Sequence, residues 1–403
     1  MKTTFLLGAA LAVCVACSSS GSSDDNNNGT PTPTDVVTPQ NVADYLVDPN
    51  ATSETAALFY NLRLLSKTRF AVGQHDAFYT YFQDNAAQSD MKKATGSDPA
   101  MLGSDFMFIT DKNNDGTSGN WYHQQEQSIK DDIRAAYAQG MINTLCWHLR
   151  EPNQETSFYA NDMPEADRAT AFRSILPGGS HHEWFKSKLD KVAEVLSSLK
   201  DSNGKPIPII FRPFHEFDGN WFWWGAAYCT AEEYKTIFRF TVTYLRDTKN
   251  VHNVLYAFSP DNSYANETGY LSRYPGDDYV DILGMDNYGD FNNQGLTGSG
   301  RANAKLQYLT QLAESRVKVA ALTETGYRVT ASVPPVTGWF TDFLYPALTD
   351  NNVRIAYVMF WSNNQDGYYV PPSGQSNTTD FVTFTNKSRS ILASELPSMY
   401  TFP

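Results

Sequence analysis

The chain has 403 residues, of which 41% are hydrophobic and 19% charged, too apolar for a disordered protein and enough for a large core. The formal net charge is −13, from 44 acidic and 31 basic residues, whereas a protein that neutralises phosphates leans the other way, so nucleic-acid binding is set aside. Aromatic residues reach 14% (8 Trp, 23 Tyr, 24 Phe), which fits either a large core or a surface of rings for stacking.

The first residues are Met1-Lys2, then an apolar run from Phe5 to Ala16, then Cys17. This is a signal peptide over 1–16, too short to span a membrane. Val15-Ala16-Cys17 followed by Ser18-Ser19-Ser20 resembles a bacterial lipoprotein box, which implies cleavage before Cys17 and lipidation of its thiol. Residues 17–40 are Ser, Gly, Asp, Asn, Thr and Pro with few apolar side chains, a composition that predicts a flexible tether. No second apolar run of 18 residues follows. Outside the leader only Cys146 and Cys229 remain; isolated thiols are expected, and no Cys-x-x-Cys zinc spacing is present.

The body, 41–403, reads as one catalytic domain. Short β-type apolar runs recur at 70–74, 101–105, 142–147, 207–212, 253–258, 281–286, 317–323 and 355–361. Helix-like stretches separate them. Residues 129–138 read as a helix stopped by Gly140. Leu189, Val192, Leu196 and Leu199 follow helical spacing, with Asn203-Gly204 as the stop. Thr230-Ala231-Glu232-Glu233 is a capping box ahead of a helix at 234–245, and 302–315 is helical. Eight strand–helix alternations predict an α/β fold, a (β/α)8 barrel. The strands lack strict alternation, as parallel strands buried on both faces do. A doubly wound nucleotide-binding sheet would carry G-x-G-x-x-G or a P-loop, and a serine hydrolase G-x-S-x-G; none occurs.

Barrel enzymes carry their reactive groups at strand C-termini. Here those ends are Gln74-His75-Asp76, Ser104-Asp105, Trp147-His148, Arg212-Pro213-Phe214-His215-Glu216, Asp286-Asn287-Tyr288, Thr323-Glu324 and Trp361-Ser362-Asn363. Glu216 and Glu324 follow the fourth and seventh strands, across the barrel mouth from one another. Two opposed carboxyls are what glycoside hydrolysis needs: one protonates the leaving oxygen, the other attacks or activates water. Glu216 stands among His215, Phe214 and Trp221, an apolar setting that raises a carboxyl pKa as a general acid requires.

Residues 209–225, Ile-Ile-Phe-Arg-Pro-Phe-His-Glu-Phe-Asp-Gly-Asn-Trp-Phe-Trp-Trp-Gly, resemble the acid/base motif of glycoside hydrolase family 26. Leu322-Thr323-Glu324-Thr325-Gly326 resembles the nucleophile strand of that family, and Ile142-Asn143-Thr144-Leu145-Cys146-Trp147-His148 its third strand. Leu176-Pro177-Gly178-Gly179 and 274–281, Tyr-Pro-Gly-Asp-Asp-Tyr-Val-Asp, are similar to further signatures. The resemblance spans about 55 to 395. It implies a retaining β-mannanase with Glu324 as nucleophile and Glu216 as acid/base. It further implies that His215 orients Glu216 or the sugar at the bond to be broken, that His148 contacts that sugar, that Tyr288 aims the nucleophile, and that Trp221 and Trp361 wall the site. Trp147, Asp286 and Arg212 complete the expected substrate-binding set, Arg212 either steadying a nearby carboxylate or forming a barrel ion pair. The chain departs from the family at Leu149-Arg150-Glu151-Pro152, where Asp or Asn more often precedes the proline; distal sugar contacts are the part this touches.

Other signals point less far. Asp111-Lys112-Asn113-Asn114-Asp115-Gly116 copies half a calcium loop, but Tyr122 stands where the bidentate Glu belongs, so an Asx-rich turn is expected. His181-His182-Glu183 reads as an exposed helix start. His75 reads as a satisfied core or cleft histidine. The expected partner is a β-mannan polysaccharide, with mixed-linkage β-glucan or β-xylan, exo action releasing mannobiose, and a non-catalytic glycan binder as alternatives. No cofactor and no metal are expected. The chain is expected to be a monomer, held to the outer membrane only by the lipid on Cys17. Asp24-Asp25 behind that cysteine resemble the acidic surface-export signal of some Gram-negative polysaccharide degraders.

Overall fold

The computed structural model describes residues 36–83 and 88–403. The signal peptide over 1–16, Cys17 and most of the tether lie outside the described residues. Eight strands carry the architecture: β1 (Phe70–His75), β2 (Met101–Asp105), β3 (Ile142–Trp147), β4 (Ile209–Pro213), β5 (Val254–Phe258), β6 (Ile282–Asn287), β7 (Val319–Thr325) and β8 (Tyr357–Phe360). Each pairs in parallel with the next, and β8 returns to β1 through Ala71↔Tyr357 to Gln74↔Phe360, which closes the barrel. The expected (β/α)8 barrel is therefore the observed fold. Every strand residue except Asp105 is buried, which is why the strands read as continuous apolar runs.

Strand parity sorts the core into layers. Phe70, Val72, Leu145 and Phe211 point outward to the helices. Ala71, Met101, Ile142, Ile210 and Ile282 belong to a second cluster with Leu58, Phe59 and Leu62 of the helix Ser53–Ser66. The helices at Trp121–Ala138, His182–Ser198, Ala231–Thr243 and Gly295–Arg316 are the long members of the outer ring. Thr230 makes the expected capping box with Glu233. Three helix limits differ from expectation by more than a turn, and one is Gly295–Arg316, which starts seven residues before 302. Asn120 caps Trp121–Ala138 through His123 N–H (3.0 Å), so that helix starts eight residues before 129. His182–Ser198 ends before Asn203-Gly204; those residues instead form a turn, with Gly204 at φ 79°.

One irregularity bears on the site. Between Leu322 and Glu324, β7 advances two residues while β6 advances from Met285 to Asp286 only. Against β8, three steps of β7 (Leu322 to Thr325) match two of β8 (Val358 to Phe360). β7 thus carries one extra residue relative to both neighbours, a bulge at Thr323-Glu324. Bulges re-aim a side chain beside an active site, and here the re-aimed side chain is Glu324.

Candidate active site

The turn after β4 is the most constrained part of the mouth. Phe214 and Glu216 both have positive φ, 51° and 53°. For residues with a Cβ this conformation costs roughly 1–2 kcal/mol each and persists only when surroundings enforce it. Three hydrogen bonds do so: Tyr234 Oη–H to Phe214 O (3.0 Å), Trp224 Nε1–H to His215 O (2.7 Å) and Glu216 N–H to Ser259 O (2.9 Å). The result aims Glu216 across the mouth. The indole N–H of Trp221 donates to Glu216 Oε2 at 2.6 Å. Gly219 makes that seat possible, because a Cβ there would fall 2.3 Å from the Trp221 ring.

Glu324 is held from two sides. Tyr288 Oη–H donates to its Oε2 at 3.0 Å, and the Arg212 guanidinium binds its Oε1. Arg212 also bonds Asp286 Oδ2 (2.6 Å) and Ser259 Oγ (3.2 Å). Thr323 Oγ1–H donates to Asp286 Oδ1 (2.6 Å). Burial works against the Arg212 charge, but Asp286 and Glu324 outweigh it and hold its pKa well above the ordinary value. Burial, then the nearby charge of Glu324, pushes Tyr288 upward, so it stays a donor at neutral pH.

Glu216, Asp286 and Glu324 each offer one oxygen within 4.8 Å of the others. Burial pushes the Glu216 carboxyl well above the usual range, and the charges of Glu324, Asp286 and Asp261 add to it; the Trp221 hydrogen bond opposes them. Glu216 is thus suited to hold a proton, while Glu324 lies against a guanidinium. One oxygen of each glutamate lies within 4.8 Å of the other, below the ~6.5–9.5 Å between carboxyls that leaves room for a water.

Both glutamates open into one cavity of about 550 Å³. Of the expected residues, His148, His215, Trp221, Tyr288 and Trp361 line it with them. Three expected substrate contacts are placed elsewhere. Trp147 is buried, donates its indole N–H to Thr110 Oγ1 (2.9 Å) and packs on Phe185 and Phe211. Cys146, its neighbour in β3, points inward, so Trp147 must point to the helix layer. Asp286 and Arg212 lie buried beneath Glu324 and bind each other, which makes them its support rather than walls of the cavity. Trp223 and Trp224, which stand in the 209–225 motif beside Trp221, are also core residues, tied to Leu149 O and His215 O.

Sequence reasoning missed Tyr159, Asp261, Asn262 and Tyr369. Asp261 and Asn262 follow β5, so the strand-end inventory that found the glutamates could have found them. Tyr159 and Tyr369 sit on loops with no periodic signal. Asn363 secures Tyr369, its Oδ1 accepting from Tyr369 N–H (2.8 Å) and Val370 N–H (3.1 Å).

A second cavity, about 360 Å³, shares His148, Tyr159 and Trp361 with the first and adds Tyr79, Phe108, Trp121 and Phe158. His75 also lines it, its ring 4.4 Å from that of Trp361. The departing segment 149–152 turns away from this groove: Glu151 is buried and accepts from the amides of Asn153 (2.7 Å), Gln154 (3.0 Å) and Thr156 (3.2 Å). Arg150 pairs with Asp111 at 2.7 Å. Asp111 also accepts from Asn113 N–H (2.8 Å), the Asx turn expected there. Cys146 and Cys229 are both free and buried.

The sequence pattern described as glycosyl hydrolase family 26 matches residues 47–365. The fold is similar to that of GH26C from Muricauda sp. MAR_2010_75, with a TM-score of 0.91 and 55% identity over 91% of this chain and 99% of that one. A modular endo-β-1,4-mannanase from Cellulomonas fimi matches with a TM-score of 0.81 and 34% identity, over 88% of this chain and 79% of that one. A mannan endo-1,4-β-mannosidase of Bifidobacterium adolescentis is 34% identical over 363 residues, 86% of this chain. The chain spans about a third of that relative, 35% of its length.

Proposed function

The chain belongs to glycosyl hydrolase family 26, and on that premise we propose that it is an endo-acting β-1,4-mannanase working with retention of configuration. The observation that carries this is the pair Glu216 and Glu324, with oxygens within 4.8 Å across one cavity. Glu324 attacks the anomeric carbon while Glu216 passes its proton to the leaving oxygen. A glycosyl ester forms on Glu324. Glu216, now a carboxylate, takes a proton from water, and that water releases the sugar and frees Glu324. Tyr288 and Arg212 hold Glu324 in position while its ester forms and while it is cleaved. No cofactor or metal enters this chemistry.

The mannan endo-mannosidase names of the relatives support the choice of β-mannan as substrate. The second cavity supports endo action, since an aromatic groove that continues past Trp361 accommodates several sugars of one chain. Incubation with galactomannan, barley β-glucan and xylan tests both points. A ladder of manno-oligosaccharides from galactomannan is expected. Release from glucan or xylan alone would overturn the substrate, and mannobiose as sole product would overturn endo action.

We further propose that the protein is a monomeric outer-membrane lipoprotein on the cell surface. Support comes from the apolar run before Cys17, the small residues Val15-Ala16 and the acidic Asp24-Asp25. Cys17→Ala is expected to move the full-length protein from membranes to the soluble fraction with activity intact; continued membrane association would overturn the anchor.

A further inference from the structure

Asp105 ends β2 and faces the second cavity rather than the two glutamates. Its carboxylate takes two bonds from a single residue. Oδ2 lies 2.6 Å from His148 Nδ1, and Oδ1 accepts from the His148 backbone N–H at 3.1 Å. The two bonds fix both the main chain and the ring of His148. Burial pushes the Asp105 carboxyl up, but the charge and hydrogen bonds of His148 outweigh it and hold it below the usual range. Asp105 is therefore an ionised, acceptor-only partner, and His148 Nδ1 must carry hydrogen.

The constraint propagates. The neutral form of His148, with its one proton on Nδ1, has a bare Nε2. That nitrogen lies 3.2 Å from His215 Nε2, so His215 supplies the hydrogen between them. His215 is buried and neutral, because burial and the nearby Arg212 charge hold its pKa well below the ordinary value. Its one proton then sits on Nε2. Cys146 Sγ approaches His148 Nδ1 only at 3.9 Å and does not compete with a carboxylate at 2.6 Å. Both imidazoles line the catalytic cavity, and His215 immediately precedes Glu216.

We propose that Asp105 is a positioning residue for the hydrolytic reaction: it holds His148 as the Nδ1–H tautomer and, through it, His215 as the Nε2–H tautomer. The wall beside Glu216 then offers the sugar one fixed pattern of donors and acceptors. The proposal rests on the glycoside-hydrolase reading of the cavity, but its structural half is measurable without substrate.

The test combines nitrogen-15 NMR of the histidine rings with kinetics of Asp105→Asn. Asparagine keeps the shape but not the charge, and its amide group can also donate to Nδ1, so both His148 tautomers become accessible. In the wild type, His148 is expected to be protonated on Nδ1 and His215 on Nε2. In Asp105→Asn, His148 is expected to show a mixture, with kcat/KM on galactomannan lowered roughly 10- to 100-fold, the span of losing one hydrogen bond to a charged group. A purely structural Asp105 would lower the melting temperature without changing the tautomers. Wild-type His148 protonated on Nε2, or a variant with wild-type tautomers and kcat/KM, would overturn the proposal. Should Asp105→Asn fail to fold, the wild-type tautomer decides alone. A wild type that hydrolyses no mannan would fail the functional reading, and the same spectra would still judge the tautomers.

Discussion

Trp221→Phe separates the two duties of Trp221, as a flat wall and as a hydrogen-bond donor. Phenylalanine keeps a flat ring in the cavity but removes the indole N–H that reaches Glu216 Oε2 at 2.6 Å. That bond favours the carboxylate over the acid, against burial and the surrounding negative charges. A hydrogen bond to a charged group contributes roughly 1.5–3 kcal/mol, and a pKa unit is about 1.36 kcal/mol, so the Glu216 pKa should rise by roughly 1–2 units. The first chemical step needs Glu216 protonated. The alkaline limb of kcat/KM reports that acid in the free enzyme, so it should move to higher pH by the same amount. Of the two glutamates Trp221 bonds only Glu216, so the difference between the two proteins isolates the indole bond. Initial rates on galactomannan well below KM, measured from acid to alkaline pH, give the limb directly. Weaker sugar stacking lowers the whole curve without moving it. An alkaline limb that stays put or shifts to lower pH would refute this account of the acid.

Three further outcomes follow from the same geometry. Glu324→Gln removes the nucleophile while keeping its volume; kcat on galactomannan should fall by about 10³-fold or more, and residual activity near wild type in a reducing-sugar assay would remove Glu324 from the chemistry. Trp147→Phe breaks the bond to Thr110 and thins the core under β3, so urea denaturation should show a loss of about 1–3 kcal/mol with kcat/KM unchanged; a kinetic loss at constant stability would return Trp147 to the cleft. Asp218 carries a carboxyl that burial and then Asp261 push up to about 7. Its unfolded value is about 3.9, so between those values the native state keeps a proton the unfolded chain has lost, and stability falls as pH rises through that window. Asp218→Asn should therefore raise the melting temperature at about pH 8 and leave it unchanged near pH 4, as scanning calorimetry would show. An equal change at both pH values would mean the carboxyl does not titrate in the native state.

The strands were legible because burial on both faces leaves each as an unbroken apolar run, and all eight are found where the runs lie. Their polar ends were legible for the same reason: nothing but function or support places Glu216, Glu324 or His148 directly after such a run. Depth was not legible. Trp147 ends an apolar run as Trp361 does, Trp223 and Trp224 stand in the same stretch as Trp221, and only strand parity and the folded path of the turn separate core indoles from cleft indoles. Asp286 was recognised as important but misplaced by one layer, because an ion pair beneath a carboxylate and a contact above it use the same residue types; Arg212, grouped with the substrate contacts, instead steadies Glu324 and pairs with Asp286, the two roles read for it beside that grouping. The β7 bulge that aims Glu324 leaves no mark in the sequence, since it exists only as a mismatch of register with β6 and β8. Tyr159 and Tyr369 reach the cavity along loop paths set by distant packing, and a loop tyrosine by itself carries no address.

The central claim is that Glu324 attacks the sugar directly while Glu216 supplies and then recovers the proton. The anomeric configuration of the first product tests it most directly. Proton NMR of a manno-oligosaccharide digest, followed from the first minutes before the ends equilibrate, should show the β-anomer appearing first and the α-anomer only later. The α-anomer appearing first would mean that water attacks in a single displacement, and the assignment of Glu324 as nucleophile would be wrong.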